Sequence, residues 1–324
     1  MKYLIKRSGH IGAVCLTTFL ISTVHAQSDA PITLVVPYGP GGNGDVAARS
    51  LAHSLQQHKD VPPLVVLNRS GAGGVTGTQS VATAPTDGKT LLVARVGPSA
   101  VAPALDPATP YKWNNFTFIG LLETDPYVCI VPSNSPLKTF QDLTAAIRAN
   151  PKKISYGTSG VVDASAVIAK MIFLNMGLPA DASVMVPYKS GPDTLSAVLG
   201  GQLTFACNGL SPYIGSIKGG KVRALISSAR IAQLPDVPTA SEVGMKDLEM
   251  VNGWSALFGP PNLPKAIVAK WAEYLQRVNK DPQWSEQVKG RGATPTILSP
   301  EETYRFVSGQ FDMYHALRDH VKPE

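Results

Sequence analysis

Short apolar runs alternate with glycine-rich turns and amphipathic segments along most of the chain. The first run, Ile32 to Val36, predicts a buried strand, and a glycine-dense turn from Gly39 to Gly44 follows it. The apolar spacing after this turn predicts a helix that is capped by Asp45. Because glycines let backbone N–H groups converge and a helix N-terminus carries partial positive charge, this stretch is typical of an anion-binding site.

Two more strands follow before residue 100, and each ends in a polar or glycine-rich segment. Leu64 to Leu67 runs into the glycine-rich turn 68–77, and Lys89 to Ala94 ends at Arg95. Strands that alternate with helices in this way predict a parallel α/β sheet. Ligands of such sheets bind beyond the carboxyl ends of the strands. We therefore expect residues 38–43, 70–76 and 95–99 to face one cleft.

The same order of elements repeats between about residue 130 and residue 250. A strand at 153–156 is followed by the turn 157–160 and by a helix that begins near Asp163. Two strands, 116–122 and 127–131, lead into this region, and a strand at 251–258 leads back. We therefore predict two Rossmann-like α/β domains joined by a two-crossing hinge, with a ligand cleft between them. The predicted domain 1 comprises residues 27–128 and 252–324, and domain 2 comprises residues 129–251.

The first 26 residues differ from the rest and are predicted to be a secretory signal peptide. Lys2, Lys6 and Arg7 precede an apolar stretch at 11–24, and cleavage is expected near Ala26. An N-terminal membrane anchor is the less favoured alternative. Removal of this segment lowers the formal net charge from +6 to +3, because it takes away three cations and no acid. This mild balance, without a basic cluster, argues against nucleic acid as a partner.

The cysteine content leaves two states open for an exported protein. Cys15 is removed with the signal peptide, which leaves Cys129 and Cys207. Two cysteines in an exported chain can form a disulfide bond. Both lie in apolar runs, however, and we therefore expect buried free thiols.

Composition and motif spacing argue against several classes of protein. An apolar fraction of 44% with 16% charged residues is typical of a folded chain rather than a disordered one. The turn from Gly39 to Gly44 matches the dinucleotide-binding motif, but Pro40 is atypical in it and Asn68 occupies the place of the ribose-binding acid. The histidines lie away from the predicted strand ends, and no carboxylate pair or metal-ligand set occurs there. We therefore predict no catalytic residue, no cofactor and no metal.

Three side chains have both a binding and a structural interpretation. Arg95, at a strand end, is either a clamp for a carboxylate or a solvated cation at the rim of the cleft. Asp163 is expected foremost to cap a helix, and if it faces the cleft it would repel anions or pair with a cationic group of the ligand. Trp254, in the return strand, would either stack on a ligand or pack in the hinge.

Seven stretches, in this order, resemble the substrate-binding proteins of tripartite tricarboxylate transporters, also called Bug receptors. The resemblance covers nearly all of the mature chain. It is carried by Val36-Pro-Tyr-Gly-Pro-Gly-Gly-Asn-Gly-Asp45, Asn68-Arg-Ser-Gly-Ala-Gly-Gly74, Tyr156-Gly-Thr-Ser-Gly160, Val186-Pro-Tyr-Lys189, Gly200-Gly-Gln202, Leu234-Pro-Asp-Val-Pro-Thr239 and Trp254-Ser-Ala-Leu-Phe-Gly-Pro260. It implies a two-lobed periplasmic receptor with a type II binding-protein fold, which hands a small carboxylate to one large and one small membrane subunit. We expect this receptor to be a monomer.

The resemblance also implies which residues hold the ligand. One carboxylate would lie on the first glycine turn and the second loop, that is, on Tyr38, Gly39, Gly41, Gly42, Asn43, Ser70, Gly71, Ala72 and Gly73. The domain-two turn would contribute Thr158, Ser159 and Gly160. The chain departs from the family pattern at Val162, Asp163 and Ala166, at Thr204 and Asn208, and at Arg95, so the far end of the ligand is where its own chemistry is expected.

We therefore expect a receptor that closes on a dicarboxylate, with one carboxylate on the glycine turns and the second on Arg95 and Asn208. An aromatic diacid such as terephthalate would place its ring against Trp254 or Tyr38. Tricarboxylates, aliphatic diacids and nicotinate-like acids fit the same pattern, and an amino acid is favoured only if Asp163 faces the cleft. An exported hydrolase acting on a carboxylate-bearing substrate and a periplasmic sensor subunit for the same ligand are the alternatives.

Overall fold

A computed structural model describes residues 30–321 of the chain. The predicted signal peptide, with its cleavage site near Ala26, lies outside these residues. No helix in the described range is long and apolar enough to cross a membrane.

The described chain contains strands and helices in alternation, as the sequence pattern predicts. The strands are Ile32–Val36 (β1), Leu64–Asn68 (β2), Thr90–Arg95 (β3), Thr117–Pro132 (β4), Ser155–Thr158 (β5), Val184–Pro187 (β6), Phe205–Gly209 (β7), Val222–Ser227 (β8), Asn252–Gly259 (β9) and Thr294–Pro295 (β10). The helices are Asn43–Leu55 (α1), Val75–Ala82 (α2), Ala102–Leu105 (α3), Phe140–Ala149 (α4), Ala164–Asn175 (α5), Gly191–Leu199 (α6), Ile214–Lys218 (α7), Lys265–Asn279 (α8), Pro282–Gly290 (α9), Pro300–Ala316 (α10) and Arg318–Val321 (α11).

The strands form two groups that share the long strand β4. In the first group, β1 is parallel to β2 and β3, and β9 lies antiparallel between β3 and β4. In the second group, β5 is parallel to β6 and β7, while β7 and β8 are antiparallel to β4. We call these groups, with the helices packed on them, the first lobe and the second lobe.

The strand β4 runs from the first lobe into the second without a break. Its residues up to Pro126 pair with β9, and from Tyr127 onward they pair with β7 and β8. The prediction of two separate strands at 116–122 and 127–131 is therefore wrong. The segment between them, 123–126, contains two acids and a proline, which are residue types that are unfavourable in strands. Arginine partners for both acids hold the segment in the sheet.

The apolar periodicity places the core where the helices meet the sheet. In the first lobe Leu34 and Leu91, from β1 and β3, are fully buried with Leu51 of α1 and Leu275 of α8 in one cluster. Burial of each such leucine stabilises the fold by about 1.5–3 kcal/mol.

The two cysteines form a disulfide bond, so the expectation of free thiols is wrong. Cys129 of β4 lies directly opposite Cys207 of β7 in the antiparallel register, with a Cα–Cα distance of 4.0 Å. Their complete burial agrees with the apolar runs in which they occur. The pairing depends on two strands that are distant along the chain, and apolar runs alone do not reveal which strands become neighbours.

Candidate functional site

A cavity lies between the lobes at the carboxyl ends of the parallel strands. Its free volume is about 20 Å³, little more than one water molecule needs, so the two lobes are nearly in contact around it. The first lobe lines it with Tyr38, Gly42, Asn43, Gly44, Arg95, Val96 and Gly97. The residues from Tyr127 onward that line it are Tyr127, Ser159, Asp163, Ser190, Gly191 and Asn208. The position agrees with the rule that ligands of open α/β sheets bind beyond the carboxyl ends of the strands.

Helix α1 points its N-terminus into this cavity. It begins at Asn43 after the extended residue Gly42, and no side chain caps it. The N–H groups of Asn43 and Gly44 therefore have no acceptor within the described chain, and both residues line the cavity. Open N–H groups and the helix dipole together make this end of the cavity suited to an anion.

Asp45 lies inside the first turn of α1, so its prediction as the cap is wrong. Its Oδ2 instead accepts hydrogen bonds from the backbone N–H of Gly41, at 2.9 Å, and from Nε of Arg49, at 3.0 Å. Burial raises the pKa of the Asp45 carboxyl, but these hydrogen bonds outweigh burial and the net shift is downward. The glycine turn is thus held in shape by its own helix, and the N–H of Gly41 is not free for a ligand.

Two helices of the second lobe also begin at the cavity. Asp163 caps α5, because its Oδ1 accepts from the backbone N–H of Ser165 at 2.9 Å. Ser190 and Gly191 stand at the start of α6, where the Ser190 hydroxyl donates to Asp193 at 2.8 Å. Three helix N-termini therefore surround one small space, which makes its potential favourable for negatively charged ligand groups.

The lobes touch each other directly across the cavity. The Tyr38 hydroxyl of the first lobe donates to Oδ2 of Asp163 of the second lobe at 2.5 Å. Within the first lobe, Nδ2 of Asn43 donates to Oδ2 of Asp125. A Cβ built on Gly97 would come within 2.3 Å of both the Tyr38 hydroxyl and Oδ2 of Asp163. The approach of the lobes thus depends on the absence of a side chain at Gly97.

Arg95 lines the cavity but already has an ionic partner. Its Nη1 lies 3.1 Å from Oδ1 of Asp125 and 2.8 Å from Oγ of Ser255. Burial disfavours the charged guanidinium, but the nearby Asp125 carboxylate outweighs burial and raises the pKa of Arg95 above its ordinary value. The stem of Arg95 lies against Gly44, where a built Cβ would be 3.2 Å from its Cγ. Arg95 therefore belongs to the same end of the cavity as the α1 N-terminus, not to the far end.

A row of polar side chains continues behind Arg95 across three strands. Arg95, Ser255 and Glu123 are successive neighbours on β3, β9 and β4, and the Ser255 hydroxyl donates to Oε1 of Glu123 at 3.3 Å. Arg291 donates to the other carboxylate oxygen of Glu123. Burial raises the pKa of Glu123, and Arg291 opposes that effect. The two arginines of this row thus compensate the buried carboxylates of Glu123 and Asp125 on β4.

Two tyrosines and an amide complete the lining. Burial raises the pKa of both Tyr38 and Tyr127, so their hydroxyls stay protonated at neutral pH. Asn208 donates from Nδ2 to the Ser159 hydroxyl at 2.6 Å. The cavity wall on the second lobe is therefore made mainly of neutral hydrogen-bonding groups.

The structure brings together part of the predicted ligand-binding set. Seven of its members line the cavity: Tyr38, Gly42, Asn43, Arg95, Ser159, Asp163 and Asn208. The remaining nine do not line it: Gly39, Gly41, Ser70, Gly71, Ala72, Gly73, Thr158, Gly160 and Trp254.

The residues away from the cavity have other contacts. The second loop meets the domain-two turn, since a Cβ built on Gly160 would lie 2.6 Å from Cα of Gly73. The Thr158 hydroxyl donates to the carbonyl of Gly160 at 3.0 Å. Trp254 is fully buried and its ring contacts Phe258 and Phe306, so it packs in the core rather than on a ligand.

Six lining residues lie outside the predicted set: Gly44, Val96, Gly97, Tyr127, Ser190 and Gly191. Val96 and Gly97 belong to the segment 95–99 that the sequence places at the cleft, and Gly44 is the last residue of the first glycine turn. A helix-start signal marks Ser190, which precedes Gly191 and Pro192. Tyr127 carries no such signal, because its apolar surroundings indicate burial but not which space it borders.

Comparison with known proteins agrees with this arrangement. The model of the family described as "Tripartite tricarboxylate transporter family receptor" matches residues 46–321. The chain is 29% identical over 310 residues to Protein BugT of Bordetella pertussis, with 94% of each chain covered.

Solved structures show the same fold. The chain is similar to the periplasmic binding protein BugD, with a TM-score of 0.84 and 31% identity, over 90% of this chain and 99% of that one. It is also similar to MatC of Rhodopseudomonas palustris with bound malate, with a TM-score of 0.83 and 25% identity, over 89% and 98% of the two chains. The fold is that of a two-lobed periplasmic binding protein of type II. The chain belongs to the tripartite tricarboxylate transporter receptor family, whose members are periplasmic substrate-binding receptors and not enzymes.

Proposed function

We propose that this receptor captures a small dicarboxylate between its lobes and delivers it to a membrane transporter with one large and one small subunit. The mature protein would begin after Ala26 and work as a monomer in the periplasm. Ligand binding would shift the protein from an open to a closed form, because only the closed form offers both lobes to the ligand.

The observation that carries the proposal is the open N-terminus of α1. The N–H groups of Asn43 and Gly44 border the cavity without an acceptor in the described chain, and the Arg95 guanidinium belongs to the same end. A carboxylate there would receive backbone hydrogen bonds and a favourable helix dipole. A second carboxylate would lie toward Ser159, Asn208 and the start of α6.

The relatives support this choice of ligand class. MatC, which is 25% identical to this chain, has malate bound, and malate is a four-carbon dicarboxylate. Because Trp254 lies in the core, it gives no support to an aromatic diacid.

The proposed mechanism requires the lobes to move about the two chain crossings. The crossings would lie where β4 passes Pro126 and where the chain re-enters the first lobe at Asn252. Residues 27–128 and 252–324 would move as domain 1 against residues 129–251 as domain 2. Backbone pairing of β4 with β9 and with β7 would keep each part rigid during closure.

A thermal-shift screen of the mature protein tests the proposal. The panel contains mono-, di- and tricarboxylates, amino acids and sugars, each at a series of concentrations. A ligand that binds only the native state adds about 2.7 kcal/mol at about 100 times its dissociation constant. We expect stabilisation by dicarboxylates, and small-angle scattering should show compaction with the same compounds. Stabilisation by sugars alone, or by no carboxylate, would exclude the proposed ligand class.

A further inference from the structure

Four carboxylates are buried in the described part of the chain, and one of them differs from the others. Asp45 pairs with Arg49, Asp125 with Arg95, and Glu123 with Arg291. Asp163 is only 3% exposed and has no ion-pair partner among residues 30–321. Buried charges in proteins are ordinarily paired, so Asp163 is the one for which the described chain itself supplies no cation.

The hydrogen bonds of Asp163 show which of its oxygens is needed for the fold. Oδ1 accepts from the backbone N–H and the hydroxyl of Ser165, which is the helix-capping role predicted from the sequence. Oδ2 accepts from the Tyr38 hydroxyl alone within the described chain, although a carboxylate oxygen has room for two donors. Serine, threonine or asparagine would cap α5 as well, so the cap does not explain why this residue carries a charge.

The α1 N-terminus suits a negative group, whereas the Asp163 carboxylate on the opposite lobe suits a positive one. Asp125 compensates Arg95, so Arg95 is not available to Asp163, which has only the N-terminus of α5 and neutral donors around it in the described chain. A dicarboxylate without a cation would bring two more negative charges into the same closed space. A protonated amine beside Asp163 would supply a second donor for Oδ2. Its positive charge would also offset the negative charge that the carboxylates bring into the cavity.

We propose that Asp163 is a specificity-determining residue and that the ligand is a small carboxylate which also carries a protonated amine. This inference rests on the proposed carboxylate-binding function. The ligand carboxylate lies at the α1 N-terminus beside Arg95, and the ammonium group donates to Oδ2 of Asp163. Gly97 makes this arrangement possible, since it lies two residues after Arg95 and closely approaches both Asp163 and Tyr38.

Isothermal titration calorimetry with matched ligand pairs tests the inference. L-aspartate is compared with succinate, and L-glutamate with glutarate, because each pair differs only in the amine. We expect the wild-type protein to bind the better amino acid at least about tenfold more tightly than its amine-free partner, as is usual for a charged hydrogen bond. Malate, whose hydroxyl is a neutral donor, should bind with intermediate affinity.

The variant Asp163→Asn removes the charge and keeps the cap. We expect the preference for the amino acid to fall to about threefold or less in this variant. Asp281→Asn is the matched control, because Asp281 caps α9 in the same way with its Oδ1 on the N–H of Gln283, away from the cavity. The control should keep the wild-type preference.

Three outcomes separate the inference from the function on which it rests. If the amine-free diacids bind the wild-type protein as tightly as the amino acids, the inference is overturned and the carboxylate receptor stands. The inference is also overturned if Asp163→Asn retains the full preference for the amino acid. If no member of either pair binds, the proposed function fails as well. The wild-type comparison decides between these outcomes even if Asp163→Asn does not fold.

Discussion

The hydroxyl of Tyr38 donates to Oδ2 of Asp163 over 2.5 Å and so joins the end of β1 to the beginning of α5. Both residues are buried, and they belong to different lobes. Because the bond needs the two lobes to be together, we expect it to stabilise a closed form over an open one. In the proposed mechanism, this charge-assisted hydrogen bond would favour closure even before the ligand makes any contact.

Tyr38→Phe should weaken ligand binding without unfolding the protein. A hydrogen bond to a charged group contributes about 1.5–3 kcal/mol, so we expect the affinity to fall by about 10- to 100-fold. Calorimetric titration measures the affinity, and thermal unfolding of the free protein checks the fold. Tyr304→Phe is the control, because Tyr304 is 43% exposed on α10. Affinity within about twofold of wild type would mean that this bond does not stabilise closure.

Gly97→Ala should hold the lobes apart. The added methyl group would lie 2.3 Å from both the Tyr38 hydroxyl and Oδ2 of Asp163, so something must shift, and opening the cleft is the simplest relief. We expect at least about a 100-fold loss of affinity, equivalent to about 2.7 kcal/mol. Small-angle scattering should show no compaction when ligand is added.

The matched glycine control is Gly215→Ala in α7. No atom lies within 4 Å of a Cβ built there, so closure should be unaffected and the helix slightly more stable. Compaction of Gly97→Ala to the wild-type dimensions would show that Tyr38 and Asp163 can separate without opening the cleft.

Replacement of Arg95 should affect stability and binding separately. Arg95→Met leaves Asp125 buried without its cation, which should cost about 3–5 kcal/mol in the free energy of unfolding. The double variant Arg95→Met with Asp125→Asn removes both charges and should recover much of that loss. Its affinity for carboxylates should stay low, because the proposed ligand carboxylate lies beside Arg95. Urea unfolding measures the free energy of unfolding, and calorimetry measures the ligand affinity. If the double variant binds the ligand with wild-type affinity, Arg95 has only a structural role.

The pH dependence of stability should reveal the role of Asp45. Its folded-state pKa lies below the ordinary value of 3.8, because hydrogen bonds from Arg49 and from the N–H of Gly41 outweigh burial. A lowered carboxyl pKa stabilises the fold above the unfolded-state pKa, and the contribution is lost as pH falls through the folded-state pKa. Asp45→Asn should therefore be less stable by about 1–2 kcal/mol at pH 7, with the difference shrinking as pH falls below 3.8. A difference that stays constant down to pH 3 would contradict this role.

The sequence reveals the ends of the strands better than the contacts between them. An apolar run followed by glycine is a local signal, and it places Tyr38, Asn43, Arg95 and Ser159 near the cleft, where they are found. Local signals do not reveal partners. Tyr38 and Asp163 are 125 residues apart, and nothing in either neighbourhood indicates the other. The helix cap at Asp163 was predictable, whereas its second role depends on how the lobes come together.

The segment from Glu123 to Pro126 shows why part of the site was hidden. Its residue types predict a break in the sheet. If Asp125 lay in such a break, it would not be expected beside Arg95 of β3, so the sequence does not indicate this ion pair. In the folded chain the same acids are opposite buried arginines, and their charges are compensated within the strand. Tertiary pairing thus overrides local propensity at the point where β4 passes between the lobes.

The disulfide bond between Cys129 and Cys207 should matter more for stability than for binding. It links β4 to β7 over a sequence separation of 78 residues, and its loss should cost about 2–5 kcal/mol. The lining residues Tyr127 and Asn208 lie beside it, but the antiparallel pairing of the two strands would persist without it. Cys129→Ser with Cys207→Ser should therefore unfold at a lower temperature while its affinity stays within about threefold of wild type. Dithiothreitol should lower the unfolding temperature of the wild type alone, and an affinity loss above about tenfold would show that the disulfide itself positions Asn208.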